Sequence, residues 1–339
     1  MLAKLRNLVE NFLDKIWYTE KKNFSFSLKL CYLVLRFFSF FYLLVIVLRK
    51  KFYKLLYKKN KYKAKIWVVG NLTVGGNGKS ILVGYLAKFL AAKGYKIAIV
   101  SKGYNRKSKK LIQVNSSSLA HEVGDEPLML YYQTQSIVVV ANDRSQALNY
   151  LNDNFDLDII LCDDGLQDYT ISYDKKFVVI NNNRLFGNRS LLPSGPLREP
   201  LFALNFIDAA LIINFNSTPI TTLDIPLAYK ANVSLDKIYN LSNPKIFMDE
   251  TKLEVNIVTA VADYKRFTFF VKNLGFKIKK VKHFSDHYFF DKTDFDEFHT
   301  NEIILMSEKD AVKCKNMHPN IWVVAIKIMP EERFIADFL

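Results

Sequence analysis

Cysteine is nearly missing from this 339-residue chain, and its three copies, Cys31, Cys162 and Cys314, stand far apart. That spacing excludes a disulfide framework and a clustered zinc site, and it suits a reducing cytoplasm. Internal repeats and low-complexity tracts are absent too, so no solenoid organises the sequence. Acids are scarce at one end only. Residues 1–65 hold 16 Lys/Arg against Glu10, Asp14 and Glu20, a net of +13 out of the formal +15, while the other 32 Lys/Arg nearly balance 30 Asp/Glu. A nucleic-acid reading of the high charge would need a basic surface elsewhere.

The excess of positive charge adjoins the longest apolar run, Leu30 to Leu48, which is interrupted by Arg36 and followed by Arg49-Lys50-Lys51. A spanning helix needs about 20 mainly apolar residues, so the length suffices, but a charge sits near the middle. A membrane-spanning helix, a helix lying in the interface and a buried core helix with a solvated basic face all remain open. The run begins late and no small-residue cleavage site follows it, which argues against a cleavable signal peptide. Arg49, Lys50, Lys51, Lys54, Lys58, Lys59, Lys61, Lys63 and Lys65, interleaved with Phe52, Tyr53, Leu55, Leu56 and Tyr57, fit an amphipathic segment on an anionic cytoplasmic leaflet. The neighbouring run is too apolar for a surface that tracks a nucleic-acid backbone, so no nucleic-acid partner is expected.

The rest of the chain is organised around Lys65 to Leu90. An apolar strand, Ile66 to Val69, breaks into a Gly-rich turn that ends in Gly78-Lys79-Ser80 and opens onto a helix. Thr73, Val74, Gly75, Gly76, Asn77, Gly78, Lys79 and Ser80 form a candidate phosphate loop. Its glycines let backbone N–H groups curl around phosphate oxygens, Lys79 reaches the β/γ-phosphates, and the Ser80 hydroxyl ligates Mg²⁺. Thr73 stands where the common pattern has Gly. An ordinary Gly-rich turn of a dinucleotide or sugar site competes, but the strand before and the amphipathic helix after weigh against it.

Length suggests two domains. The boundaries read as a basic and apolar segment 1–64, a P-loop kinase domain 65–215, a β-rich linker region 216–254 and a smaller α/β domain 255–339. The expected class is α/β: a P-loop NTPase-like, mostly parallel sheet flanked by helices, with an N-terminal membrane-associated helix. Strand Tyr95–Val100 delivers the loop Ser101 to Arg106 at its carboxyl end, where ligands of open α/β sheets gather. Gly124-Asp125-Glu126-Pro127 reads as a helix start capped by Asp125. Strand Leu157–Cys162 runs into Asp163-Asp164-Gly165-Leu166-Gln167, and a strand ending in carboxylates is the usual partner of a phosphate loop around Mg²⁺. The long connection from Asn181 to Pro200 carries Arg184, Arg189 and Arg198, which are able to clamp phosphate. His287, beside Asp286 in a loop, is an acid/base candidate.

Six strings carry a resemblance: V-G-N-L-T-V-G-G-N-G-K-S (69–80), G-D-E-P (124–127), D-D-G-L-Q (163–167), L-P-S-G-P-L-R-E-P (192–200), F-S-D-H (284–287) and S-E-K-D-A-V-K (307–313). In this order, over nearly the whole chain, they resemble the bacterial lipid A 4′-kinase family, also called tetraacyldisaccharide 4′-kinase. The resemblance implies transfer of the ATP γ-phosphoryl group, with Mg²⁺, to the 4′-hydroxyl of a lipid disaccharide 1-phosphate at the cytoplasmic face of the bacterial inner membrane. It also implies that Asp163 and Asp164 serve the metal, that Asp125 with His287 deprotonates the attacking hydroxyl, with Asp164 as a further catalytic candidate, and that Tyr104, Arg106, Arg144, Arg198 and Glu199 surround the substrates. Three departures stand out. Asp168 replaces a usual basic or imidazole residue, Asn105 replaces a usual glycine, and Ser80 and Ser307 stand where Thr is frequent.

Two rival readings are a GTPase switch and a membrane-attached P-loop NTPase with another acceptor or a regulatory role. The first requires an N-K-x-D motif, and Ser307-Glu308-Lys309-Asp310 has Glu in place of its Lys. A scaffold that had lost catalysis predicts erosion of Lys79, Asp125 or the Asp pair, all of which are present.

Overall fold

The computed structural model describes residues 9, 12–56, 62–76, 78–215, 219–221, 223, 225, 227–249 and 252–338. Asn77 of the candidate loop, Tyr57, Lys58, Lys59 and Lys61 of the basic cluster, and parts of the region 216–254 lie outside the described residues.

The strands are β1 (Lys65–Gly70), β2 (Ile97–Ser101), β3 (Ile112–Gln113), β4 (Ile137–Val140), β5 (Ile159–Asp163), β6 (Lys175–Asn181), β7 (Ala209–Asn214), β8 (Ala228–Asn240), β9 (Glu254–Thr259), β10 (Lys277–His283), β11 (Ile304–Ser307) and β12 (Ile321–Pro330). They form one sheet in the order β10-β9-β11-β12-β8-β7-β6-β1-β5-β2-β4-β3. Neighbours run parallel except β12 with β8 and β4 with β3. The central strands read as unbroken apolar runs because helices cover both faces. Val68, Val69, Ile160, Leu161 and Cys162 are wholly buried; helix Lys79–Ala92 packs Leu82, Val83, Leu86 and Leu90 against Val69 and Leu161, while Val68, Ile160 and Cys162 fill the core on the opposite face. β1 lies between β5 and β6, so the chain leaves it toward both sides of the sheet. The crevice outside such a switch point is where ligands bind in open α/β sheets.

β8 joins the two parallel halves. Its first residues, Ala228–Asn232, pair with β7, and Ala231–Asn240 pair antiparallel with β12. Beyond β12 the chain returns to the first half, where helix Glu332–Phe338 sets Phe334 against Phe177 and Tyr229 at ring distances of 6.0 and 5.5 Å.

Helix Phe26–Leu56 runs along the outside of this body. Within it, Phe26–Tyr53 contains an 18-residue window of mean hydropathy 2.3 and is long and apolar enough to cross a membrane by length and composition. Its amphipathicity is inverted relative to a soluble helix. Phe37, Phe40, Phe41, Leu44 and Leu48 face outward, whereas Tyr32, Ser39, Tyr42 and Lys50 meet the protein. Tyr32 Oη lies 3.0 Å from Ser190 Oγ; Ser39 Oγ donates to Leu191 O at 2.9 Å and accepts from Ser194 N at 3.1 Å. Tyr42 Oη donates to Arg198 O at 3.1 Å, and Lys50 pairs with Glu199. The inward residues are seven, three and eight positions apart, close to whole helical turns, and so lie on one stripe. Over the 18 residues from Tyr32 to Lys50 that stripe is about 27 Å long. The buried-core reading of this helix is thereby corrected: apart from residues such as Tyr32 and Ile46, its apolar side chains are mostly exposed.

Candidate active site

The phosphate loop leaves β1 and is pinned from one side by the loop that carries L-P-S-G-P-L-R-E-P. Val74 N donates to Pro196 O at 2.9 Å, Arg198 N donates to Leu72 O at 2.7 Å, and Thr73 bridges Leu197. Two glycines are needed for their shape: Gly75 and Gly78 hold φ of +108° and +91°, which side chains resist. Gly78 also has Phe215 against it, 2.9 Å from where a Cβ would sit. The segment therefore turns tightly and aims the N-terminus of helix Lys79–Ala92 at the crevice, a geometry that suits phosphate.

Lys79 Nζ stands 3.3 Å from Asn71 Oδ1 and 3.3 Å from Asp164 Oδ2. Ser80 Oγ donates to Asp163 Oδ2 at 3.3 Å and to Glu126 Oε2 at 3.1 Å. The two aspartates at the end of β5 differ sharply. Burial, with Glu126 and Asp164 adding to it, pushes the Asp163 carboxyl up to about 7, and its Oδ1 has no partner. Burial also works against ionisation of Asp164, but Lys79 and Arg198, whose Nη1 lies 3.1 and 3.2 Å from its oxygens, hold it below the ordinary carboxylate value. Lys79 and Arg144 offset only part of this at Asp163, whereas at Asp164 the cations outweigh burial. Among the described residues no cluster of three His, Cys, Asp or Glu forms a ready-made metal cage. Ser80 Oγ, the unpartnered Asp163 oxygen and Glu126 suit Mg²⁺, which takes one or two carboxylates and completes its shell with phosphate and water.

On the other side of Glu126, the two halves of the molecule meet. Gly124, at φ +93°, turns the chain into helix Asp125–Thr134. Asp125 is the first residue of that helix, not its cap, because its carboxylate is turned toward the second half. His287 Nδ1 lies 2.9 and 3.0 Å from the two Asp125 oxygens, and Lys313 Nζ lies 3.7 Å away. Burial raises the Asp125 carboxyl, but His287, Lys309 and Lys313 outweigh it and hold the group below its ordinary value. His287 Nε2 lies 3.3 Å from Lys309 Nζ. Asp286 Oδ2 lies 3.5 Å from the same Nε2, so the ring is held at Nδ1 by one carboxylate and at Nε2 between a second carboxylate and an ammonium. Lys309 also reaches Glu126 Oε1 at 3.3 Å and Asp286 Oδ1 at 3.2 Å, and these acids with Asp125 raise its pKa despite burial. Ser307 caps the turn that presents Lys309 and Lys313: its Oγ accepts from Asp310 N at 3.2 Å. Asp310 accepts from Lys313 at 3.0 Å and from Thr259 at 2.8 Å.

The structure brings the other expected residues into three different places. Tyr104 covers His287, ring centroids 5.0 Å apart, and is the most open of them. Arg106 lies beyond it, spending Nε on Lys102 O and Nη1 on Lys110 O, at 3.0 and 2.7 Å. Asn105, in place of glycine, keeps a left-handed φ of +62°, which Asn tolerates better than most residues. Arg144 is not in the open crevice but beneath the aspartate pair, 2% exposed, with Nη2 donating to Asp163 O and Asp164 O at 2.6 Å each. Its Nη1 reaches Asp168 at 3.3 Å, so the departure at Asp168 is absorbed by a buried ion pair. Glu199 is likewise buried, between Lys50 and Gln167 Nε2, the latter at 3.3 Å. Glu126 and Lys309 lie inside quoted motifs, yet only the fold shows that one carboxylate spans Ser80 and Lys309.

The chain matches, over residues 31–339, the model of the family LpxK, described as tetraacyldisaccharide-1-P 4′-kinase. A tetraacyldisaccharide 4′-kinase of Francisella tularensis subsp. novicida is 37% identical over 321 residues, covering 91% of this chain and 96% of the relative. One from Psychromonas ingrahamii is 35% identical over 281 residues, covering 82% and 85%. A crystal structure described as the "apo" form of LpxK from Aquifex aeolicus in complex with ATP superimposes with a TM-score of 0.76 at 28% identity, covering 88% of this chain and 95% of the other.

Proposed function

The chain belongs to the tetraacyldisaccharide-1-P 4′-kinase family, and on that premise we propose that it transfers the ATP γ-phosphoryl group to the 4′-hydroxyl of a tetraacyl glucosamine disaccharide 1-phosphate in lipid A biosynthesis. The observation that carries this reading is the unbroken line of contacts from Lys79 and Ser80 through Glu126 to Lys309, His287 and Asp125. It sets a phosphate-holding loop beside a carboxylate–imidazole pair, the two things that phosphoryl transfer to an alcohol requires.

Lys79 and the backbone of residues 73–76 and 78–80 would hold the nucleotide phosphates, and Ser80 and Asp163 with Glu126 would hold Mg²⁺. When bound, the ion neutralises phosphate charge. The Asp125–His287 pair takes the proton of the 4′-hydroxyl as its oxygen bonds to the γ-phosphorus. The bond from that phosphorus to the bridging oxygen breaks, and ADP leaves with the electron pair. Arg144 acts as a positioning residue by fixing the carbonyls of both aspartates, and Arg198 holds the Asp164 side chain. Tyr104 and Arg106 line the approach to the pair and are the contacts left for the sugar.

The proposed location is the cytoplasmic face of the bacterial inner membrane, with helix Phe26–Leu56 lying in the interface. Its inward stripe is bonded to the loop 190–199 along most of its length. A crossing orientation would draw those polar groups into hydrocarbon, where unsatisfied backbone and side-chain groups cost several kcal/mol each. Its outward Phe and Leu residues suit the acyl region, each worth roughly 1.5–3 kcal/mol when buried.

The test is incubation of detergent-solubilised enzyme with γ-labelled ATP, Mg²⁺ and the tetraacyl disaccharide 1-phosphate, with Lys79→Ala as control. Label at the 4′ position is expected. ATP hydrolysis without labelled lipid, in a folded preparation, supports the rival NTPase with another acceptor.

A further inference from the structure

The mechanism above leaves one arginine beside the phosphate loop unused. Arg184 sits in the turn that follows β6, the strand next to β1, so the same sheet positions it and the loop. A Cβ built on Gly75 would lie 3.6 Å from Arg184 Nη1, which puts the guanidinium directly over the loop. The arginine is held from behind by the N-terminal segment. Asp14 Oδ2 is 3.6 Å from Nη2, longer than a good hydrogen bond, and the Tyr18 ring lies 5.0 Å from the guanidinium carbon. The same segment is itself fixed, since Trp17 Nε1 donates to Pro193 O at 2.9 Å and Asn188 N donates to Trp17 O at 2.7 Å.

Charge accounting across the site separates Arg184 from its neighbours. Lys79 and Arg198 both face Asp164, and Arg144 is buried beneath the carboxylates. Arg266 is stacked on Phe215, 4.0 Å from the ring centre, and feels the charge of Arg184 nearby. Of these described cations, Arg184 combines a place over the loop, partial exposure and no carboxylate from within the site. Tyr18 also hydrogen-bonds the guanidinium, so two exchangeable partners, an ion pair at 3.6 Å and a phenol, hold it beside an anion-binding loop; phosphate oxygens, which a guanidinium meets two at a time, can replace both.

We propose that Arg184 is a further catalytic residue, which leaves Asp14 and Tyr18 to bind the oxygens of the transferring γ-phosphoryl group and stabilises the charge that shifts toward ADP as the bond to the bridging oxygen breaks. This deepens the kinase reading and rests on it. Asp14 and Tyr18 position the guanidinium and touch no substrate. Because their segment is bonded to the loop beneath the membrane helix, correct seating of that helix and correct placing of Arg184 are linked.

The experiment compares wild type, Arg184→Ala and Arg184→Lys, each checked for an unchanged thermal midpoint. Two readouts are taken: kcat and KM with ATP and the lipid acceptor, and affinity for MgADP with and without fluoroaluminate, a mimic of the phosphoryl group in flight. For Arg184→Ala, kcat is expected to fall about 10³-fold, the lower end of what such an arginine supplies. KM for ATP and MgADP affinity should stay within about threefold, while the tightening by fluoroaluminate is lost. Arg184→Lys should recover part of both, and added guanidinium ion should partly rescue Arg184→Ala. A kcat within threefold of wild type, or an Arg184→Ala enzyme that still tightens on fluoroaluminate as wild type does, overturns the proposal. The fluoroaluminate arm needs no lipid. A wild type that labels no lipid, yet tightens on fluoroaluminate only when Arg184 is present, removes the proposed acceptor and keeps the arginine.

Discussion

His287 Nδ1 and Asp125 Oδ2, 162 residues apart in sequence, lie 2.9 Å from each other across the junction of the two halves of the sheet. Neither half holds the complete pair, so the proton removal proposed for it depends on the halves being closed. Asp125→Ala and His287→Ala are each expected to lower kcat by at least about 10²-fold, the usual worth of a positioned acid or base. KM for ATP should change little, and the double variant should be scarcely worse than either single one. Steady-state kinetics at saturating lipid decide it; near-normal turnover in Asp125→Ala would remove the pair from the mechanism.

The same contact makes a pH prediction. Asp125 is held below its ordinary value of 3.8 by His287, Lys309 and Lys313, against the opposing effect of burial. A depressed carboxyl stabilises the fold fully above its unfolded value, and that contribution is lost as pH falls through the folded one. Asp125→Asn should therefore melt lower than wild type at pH 7, and the gap should close in the acid range below 3.8. Thermal midpoints measured across that range would contradict this if the gap were constant.

Arg144 offers a test of stability rather than chemistry. Its removal strands two buried carbonyls and leaves Asp168 without its 3.3 Å partner. Breaking a buried ion pair costs about 3–5 kcal/mol, so Arg144→Ala should unfold at clearly lower denaturant and lose activity with it. A variant as stable as wild type but inactive would instead put Arg144 in contact with substrate.

Asp163 predicts a trade. It is buried beside Glu126 and Asp164, and one of its oxygens has no partner. Asp163→Asn should raise the melting temperature of the nucleotide-free enzyme by a few degrees, a shift that corresponds to about 1 kcal/mol in a protein of this size. It should also abolish both turnover and the stabilisation given by Mg²⁺ with ATP. Mg²⁺ titrations followed by thermal shift would expose the opposite result.

Local chemistry made much of the site legible. The phosphate loop announces itself through Gly75, Gly78, Lys79 and Ser80, and the aspartates through the apolar strand that ends in them. Glu126 and Lys309 escaped because their meeting is a matter of how β8 and β12 join the two halves, which no local pattern records. Arg144 resembled a loop arginine facing substrate, and only its burial shows that its partners are backbone carbonyls. The departure at Asn105 was visible, but its harmlessness was not until its φ of +62° was known. For helix Phe26–Leu56, hydropathy gave the length and hid the orientation, since the residues that dock it, Tyr32, Ser39 and Tyr42, count as weak spots in an apolar run.

That inverted helix carries an instruction for anyone wanting a detergent-free enzyme. Deleting it would strip Tyr42 from Arg198 O and Lys50 from Glu199, loosening the loop that pins the phosphate loop at Val74. Recolouring its outer side alone, by changing Phe37, Phe40, Phe41, Leu44 and Leu48 to Glu, Lys or Gln, leaves every one of those bonds in place. Such a protein should stay in solution, turn over a short-chain acceptor dispersed in water, and ignore the same acceptor once it is embedded in vesicles.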